Sequence, residues 1–418
     1  MATIILLTST FPFPGGEQFL ETEIKYWASS SDRIILLPAG GRGVPRTVPT
    51  DIEVDLTLAG MGTTLMKIIY FVASPFSHIF IKEVSYLHSA GKLSPWLLYQ
   101  CARETARTHM CARGLRKVAR ECGPIDLVYS YWNDATAFGA AVSKRRGYVQ
   151  HVVSRAHGEY DIYEETRKGD YMPVKRQFIG DFDALYSVSQ HGRDYMAKVY
   201  GVIPERNMAS MLGVHVPEQL TVASGNAHYH IISVSFCTGV KRIDKIIQAL
   251  AAAARGMPEI SFKWTHVGGG PMLPGLQRLA DKTLSGLSNI DHVLMGTMTH
   301  EEVLELLLTQ RIDVLINTSE SEGVPVSIME AMSCGIPAIA PEVGGVPELV
   351  GNGRGVLMST SPEADEVASH LTDFMGVSKR PETRQTVREF VRLEFNEATN
   401  YPAFVEGCRQ IASASIHR

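Results

Sequence analysis

Two glutamates, Glu322 and Glu330, stand with seven residues between them in the stretch Asn317–Pro337. The stretch reads as a strand end, a loop and a short helix. Pro325 suits the first helical position, where its missing N–H would go unpaired anyway. Gly335 suits the left-handed residue that ends a helix. Val326 and Ser327 would then offer free backbone N–H groups at the positive end of a helix, a site fitted to an anion such as a diphosphate. Glu322, in the loop, can approach a sugar, and Glu330, inside the helix, can accept hydrogen bonds from ribose hydroxyls. Two acids near a helix start are also what a helix that caps itself would show. The surroundings tip the balance, because Glu322-Gly323-Val324-Pro325, a helix of small residues and Cys334-Gly335-Ile336-Pro337 occur together.

The elements that must position these groups follow one plan, used twice. The apolar run Thr3–Leu7 leads through a turn ending in Gly15 and Gly16 into a helical stretch from Glu17 to Ala28. The run His230–Ser235 leads through Cys237-Thr238-Gly239 into an amphipathic helix from Lys241 to about Arg255. Further short apolar runs alternate with helical patterns: Ile34–Leu37, Leu127–Tyr131, Val152–Arg155 and Ala184–Val188, then Phe262–Val267, His292–Met295, Val314–Asn317, Ala338–Ala340 and Gly355–Met358. This alternation predicts an α/β chain with parallel sheets, whose ligands sit beyond the strand ends. The expected organisation is a Rossmann-like domain over 1–215, a linker over 216–228 rich in turn residues, and a second Rossmann-like domain over 229–395. The last stretch, Glu382 to about Ser413, reads as helix with a break near Pro402, and a helical tail over 396–418 closes the chain.

Bulk properties narrow the function. With 418 residues, two domains are the default. A net charge of -4 gives no support to nucleic-acid binding. The six cysteines are scattered without a C-x-x-C pair, which argues against a zinc site or a disulfide framework and fits a reducing cytoplasm. The start of the chain lacks a basic leader, so no signal peptide is expected. The apolar stretch Leu65–Leu87 is interrupted by Lys67, Pro75, His78, Lys82 and Glu83. With the basic segment from Arg103 to Arg120 it suits peripheral contact with the inner membrane surface. A helix packed on a sheet with a charged outer face explains it more simply.

The segment Asn317–Pro337 resembles the E-x7-E signature of family-4 retaining glycosyltransferases, which have the GT-B fold. The stretch Pro341–Val350, with Gly344 and Gly345, resembles the glycine-rich turn that follows the signature. The resemblance implies two Rossmann-like domains facing across a cleft, with the final helix crossing back to the first. It implies that Glu330 binds the donor ribose and that Glu322 lies near the transferred sugar. Gly323, Val324, Pro325, Val326 and Ser327 would line the sugar and phosphates. Lys241 falls where the family has a lysine on the diphosphate. The arginine usual five residues earlier is replaced by Phe236, and Arg242 is the nearest base that can compensate. Gly296, Thr297 and Met298 resemble the loop beside the nucleotide base. Arg155-Ala156-His157-Gly158 resembles the element whose histidine approaches the donor sugar. Gly15 and Gly16 match the loop where phosphate and acceptor meet; a plain turn after a strand fits them too. The stretch Ser154–Tyr171 resembles members that build bacterial surface polysaccharides.

The activity so implied is retaining, metal-independent transfer of a hexose-type sugar from a nucleotide diphosphate to a glycan or lipid-linked glycan, with no cofactor. Asp181-Phe182-Asp183 precedes a strand instead of following one, and reads as a polar turn and not a metal motif. The alternatives are an inert nucleotide-sugar-binding protein and a nucleotide-sugar epimerase of the same fold. A dinucleotide-dependent oxidoreductase is disfavoured, since neither half has G-x-G-x-x-G after its first strand.

Overall fold

Uninterrupted apolar runs such as Ile4–Leu7 and Ile34–Leu37 have no polar face to turn towards water, so they form strands covered on both faces. A computed structural model describes residues 1–14, 17, 19–158 and 160–414. The chain divides into two units, Met1–Met211 with the segment from Tyr401 onward, and Leu212–Asn400.

The first unit holds strands β1 (Thr3–Thr8), β2 (Arg33–Pro38), β3 (Ile52–Val54), β4 (Ile125–Ser130), β5 (Val149–Ala156), β6 (Ala184–Ser187) and β7 (Asn207–Ala209). They lie in the order β3-β2-β1-β4-β5-β6-β7, and every pairing is parallel. The second unit holds β8 (His228–Val234), β9 (Ser261–Val267), β10 (Ile290–Leu294), β11 (Val314–Ile316), β12 (Ala338–Pro341) and β13 (Gly355–Met358). Their order is β10-β9-β8-β11-β12-β13, again all parallel. The strand order reverses between β1 and β4 in one sheet and between β8 and β11 in the other. Such reversals open a crevice at the carboxyl ends of the strands.

Several sequence expectations shift. The helix expected from Glu17 begins at Leu20. The helix expected from Lys241 begins at Ile243, after a separate 3₁₀ turn over Gly239–Lys241. Edge strands β3 and β7, three residues each, are additions. The tail breaks not at Pro402 but between helices Pro381–Glu394 and Glu397–Ser413. There Val214 pairs with the chain, donating its N–H to the Phe395 carbonyl and accepting from Glu397 N–H, so helical bonding stops. The Asn396 side chain then caps the new helix at Ala398 N–H, 3.0 Å away.

From Tyr401 onward this last helix is part of the first unit's core. Phe404, Val405, Cys408 and Ala412 are buried with Ile4, Leu6, Trp27 and Tyr129. Under them lies a buried ion pair, with Arg155 Nη1 donating to Glu23 Oε2 at 3.0 Å. Trp27 Nε1 donates to the other Glu23 oxygen at 3.1 Å. The Arg155 guanidinium also covers the Phe404 ring at 4.4 Å and donates to the Ser210 carbonyl at 2.9 Å. Removing one member of such a pair leaves an uncompensated buried charge, a loss of roughly 3–5 kcal/mol.

The second unit buries two neutral histidines across β8 and β9. His230 Nδ1 and Nε2 meet the Arg311 carbonyl and Thr265 Oγ1, each at 3.0 Å. His266 Nδ1 meets Ser233 Oγ at 2.9 Å. Burial pushes both imidazoles down to about 4. The unfolded chain binds these protons near pH 6.5 and the folded one resists them, so stability is full above that value and falls as pH drops towards 4. Urea titrations should show unfolding free energy lower by about 1 kcal/mol per histidine at about pH 5.5 than at about pH 7.5. Replacing His266 with Gln should remove its share of that pH dependence.

Candidate active site

In the second unit, the loops after β8 and β11 flank the point where strand order reverses, and each supplies one charged group. Lys241 Nζ from the first loop lies 2.7 Å from Glu322 Oε1 of the second. Asn317, at the end of β11, donates from Nδ2 to the same carboxylate oxygen at 3.1 Å. Its Oδ1 accepts Ser319 N–H at 2.8 Å, which turns the loop. The two loops are also sewn together by backbone. Thr318 Oγ1 donates within 3.0 Å of the Lys241 and Arg242 carbonyls, and Glu320 N–H reaches the Val240 carbonyl at 2.9 Å.

The helix after this loop runs Val326–Ser333, one residue later than expected, with Pro325 as its cap. Pro325 is extended (φ -70°, ψ 114°) and its carbonyl takes the N–H groups of Ile328 and Met329. Val326 and Ser327 N–H have no partner among the described residues. They are half-buried, and the helix closes at Gly335 with φ +79°. Glu322, near this positive helix end, supplies negative charge to both the helix and Lys241.

Glu330, buried inside the helix, lies 2.7 Å from His300 Nε2. Gly323 and Val324 complete the loop, with the Gly323 carbonyl accepting Gly345 N–H at 2.8 Å. Gly296 is left-handed (φ +75°) and its carbonyl accepts Gly268 N–H at 2.8 Å, so the turn over Gly296, Thr297 and Met298 lies against the turn over Gly268–Gly270. Arg242 is turned to other carboxylates, with its guanidinium 2.8 Å from Glu320 and 3.9 Å from Glu363. Phe236 is 60% exposed beside this site.

The first unit carries His157, just past β5. Its Nε2 lies 3.0 Å from the Tyr131 carbonyl and its ring stacks on Tyr131 at 4.4 Å. A carbonyl only accepts, so Nε2 holds the proton and Nδ1 presents a lone pair. Burial, then the Arg155 charge, hold this imidazole well below its usual 6.5. Asp161 fixes the loop by accepting from His157 N–H at 2.7 Å and Gly158 N–H at 2.9 Å. Gly15, Gly16 and Glu159 lie outside the described residues. Next to Gly16, Glu17 is buried at φ +58° and accepts from Ser9, Thr10 and Phe11 N–H and from Trp132 Nε1, at 2.6–2.8 Å. Asp181 and Asp183 lie at the amino end of β6, tied to Arg145 at 2.6 Å and to Lys144.

His300, Asn317, Glu320 and Glu17 were not singled out from the sequence. Asn317 ends the signature strand and was the readable one; the others reach their partners only through the fold.

Gly344 tests how tightly the Glu322 loop is held. It has φ +51°, and a Cβ there would lie 1.9 Å from the Glu322 carbonyl oxygen. Gly344→Ala must therefore displace the loop. We expect catalytic turnover to fall by about two orders of magnitude, with thermal denaturation showing the fold retained.

Residues 224–392 match the family described as glycosyl transferases group 1. A putative teichuronic acid biosynthesis glycosyltransferase, TuaC of Bacillus subtilis, is 22% identical over 310 residues, covering 70% of this chain and 72% of that protein. A putative colanic acid biosynthesis glycosyltransferase, WcaL of Salmonella typhimurium, is 25% identical over 62% of this chain and 64% of its own length. Anabaena HepE, solved with UDP and glucose, superposes with a TM-score of 0.65 at 16% identity, covering 98% of this chain and all (100%) of that one. The second unit is thus similar to the group 1 glycosyl transferases, and the two parallel sheets are of the kind found in the GT-B fold.

Proposed function

We propose that this chain transfers a hexose-type sugar from a nucleotide diphosphate to a glycan or lipid-linked glycan in polysaccharide biosynthesis, with retention of anomeric configuration. The observation that carries the proposal is the Lys241–Glu322 pair beside the amides of Val326 and Ser327, which have no partner among the described residues. The names of TuaC and WcaL and the UDP and glucose held by HepE support the polysaccharide and nucleotide-sugar parts.

A departing nucleotide diphosphate gathers negative charge on its leaving oxygen. Helix amides and an ammonium already in place stabilise that charge without reorganising. Phe236 stands where an arginine is usual; Lys241, already turned to Glu322 of the signature loop, would carry the cationic part, whereas Arg242 is turned to Glu320 and Glu363. Glu330 would take ribose hydroxyls, held in place by His300. His157, neutral with Nδ1 as acceptor, would receive a hydroxyl of the donor sugar and not give a proton. The acceptor's proton then goes to the leaving phosphate; a short-lived adduct on a carboxylate such as Glu322 is the competing route. No divalent ion is required on this reading, which draws support from Asp181 and Asp183 being tied to Arg145 and Lys144.

Glu330→Ala should weaken donor binding by calorimetry at least about tenfold, or about 1.4 kcal/mol. Lys241→Ala should lower kcat by about a hundredfold or more, with a smaller effect on binding. Activity should survive EDTA, and the anomeric proton coupling of fresh product should match the donor. An inverted product, or donor affinity unchanged in Glu330→Ala, would refute the proposal.

A further inference from the structure

The helix Thr64–Ala73 reverses the usual arrangement of an amphipathic segment. Leu65, Ile68, Ile69 and Val72 share one face by their three- and four-residue spacing. They are 67%, 54%, 50% and 63% exposed, and no residue of this helix is buried. Phe76, in the turn that follows, is 86% exposed. The sequence-based expectation of a face packed on a sheet does not hold here. A contiguous exposed apolar strip of this kind marks an interaction surface.

Adjoining the end of that helix is a recess of about 1050 Å³, walled by Tyr70, Ala73 and Phe76 on one side. Its other walls include Arg113, Arg116, Lys117, Arg120, Arg145 and Arg146, and among the described residues no acid lines it. Lys117 and Arg145 are paired with Glu121 and Asp181. Arg113, Arg116, Arg120 and Arg146 have no carboxylate partner among the described residues. Arg146 is close enough to His109 to add to burial in lowering that imidazole. In a chain of net charge -4, this is a local concentration of positive charge.

We propose that this face rests on an anionic lipid bilayer, with Leu65, Ile69, Val72 and Phe76 among the acyl chains and the arginine recess on headgroup phosphates. Apolar side chains and unpaired arginines side by side match a surface that offers hydrocarbon directly beneath negative charge. Among the described residues no single helix is long and apolar enough to cross a membrane. The pair Thr64–Phe76 and His78–Ser89, bent by 59°, lies along the interface on this reading.

The test uses the full chain and vesicles floated through a density gradient. Vesicles of equal phosphatidylglycerol and phosphatidylcholine should bind it, phosphatidylcholine alone should not, and raising salt from about 0.1 to 0.5 M should release it. Leu65→Ser/Ile69→Ser/Val72→Ser and Arg113→Ala/Arg116→Ala/Arg120→Ala should each cut binding by about tenfold or more. These residues are outside the proposed donor site, so donor hydrolysis in detergent-free solution should stay unchanged, which separates this proposal from the previous one and confirms folding. Equal binding to neutral vesicles, wild-type binding by either variant, or capture of soluble glycerol phosphate without vesicle binding would overturn it.

Discussion

An ammonium and a carboxylate meeting at 2.7 Å, between two loops that leave neighbouring parallel strands, is the interaction on which the second unit's site depends. At an effective dielectric of about 20, unit charges about 4 Å apart attract by roughly 4 kcal/mol before the cost of removing them from water. Much of that is lost at an exposed pair. This one is mostly covered, with 22% of the lysine and 11% of the glutamate side chain accessible. Asn317 steadies the carboxylate, and Thr318 ties the Lys241 backbone to the other loop. A positive helix end and a lysine would repel each other if no anion stood near. Glu322 is that anion. On the proposed reading, a diphosphate adds the charge that the helix amides and Lys241 are arranged to meet.

The first unit solves a related problem with buried carboxylates. Glu17 gathers three backbone amides and the Trp132 indole, so the loop after β1 and the one after β4 share a single acceptor. Those loops leave the two strands at which the order of that sheet reverses. Glu23 neutralises Arg155 one layer deeper, where the last helix closes over them. Both devices hold chain segments far apart in sequence, and both put charge where water cannot relax it.

Much of this was legible in the residues. Apolar runs bounded by turns marked eleven of the thirteen strands among the described residues. The two missed, Ile52–Val54 and Asn207–Ala209, are short edge strands with polar residues, which carry little periodic signal. The spacing around Glu322 and Glu330 located the loop and helix to within one residue. Lys241 was found, but its 3₁₀ turn was not, because the left-handed Arg242 (φ +50°) has no glycine to announce it. Glu17 looked like the start of a helix, whereas it is a loop anchor whose donors come from residues 9–11 and 132. His300 gave no signal, since its partner Glu330 lies thirty residues away in sequence. Pro402 drew the expected break to itself, while the real one follows from pairing with Val214, which local propensity does not record.

The role of this site turns on where a diphosphate sits. A crystal structure of the chain with a nucleotide diphosphate sugar would test it most directly. We expect phosphate oxygens within hydrogen-bond reach of Val326 and Ser327 N–H, Lys241 Nζ on the same group, and ribose hydroxyls on Glu330. A donor bound with that helix end left to water, or with its ribose away from Glu330, would contradict it.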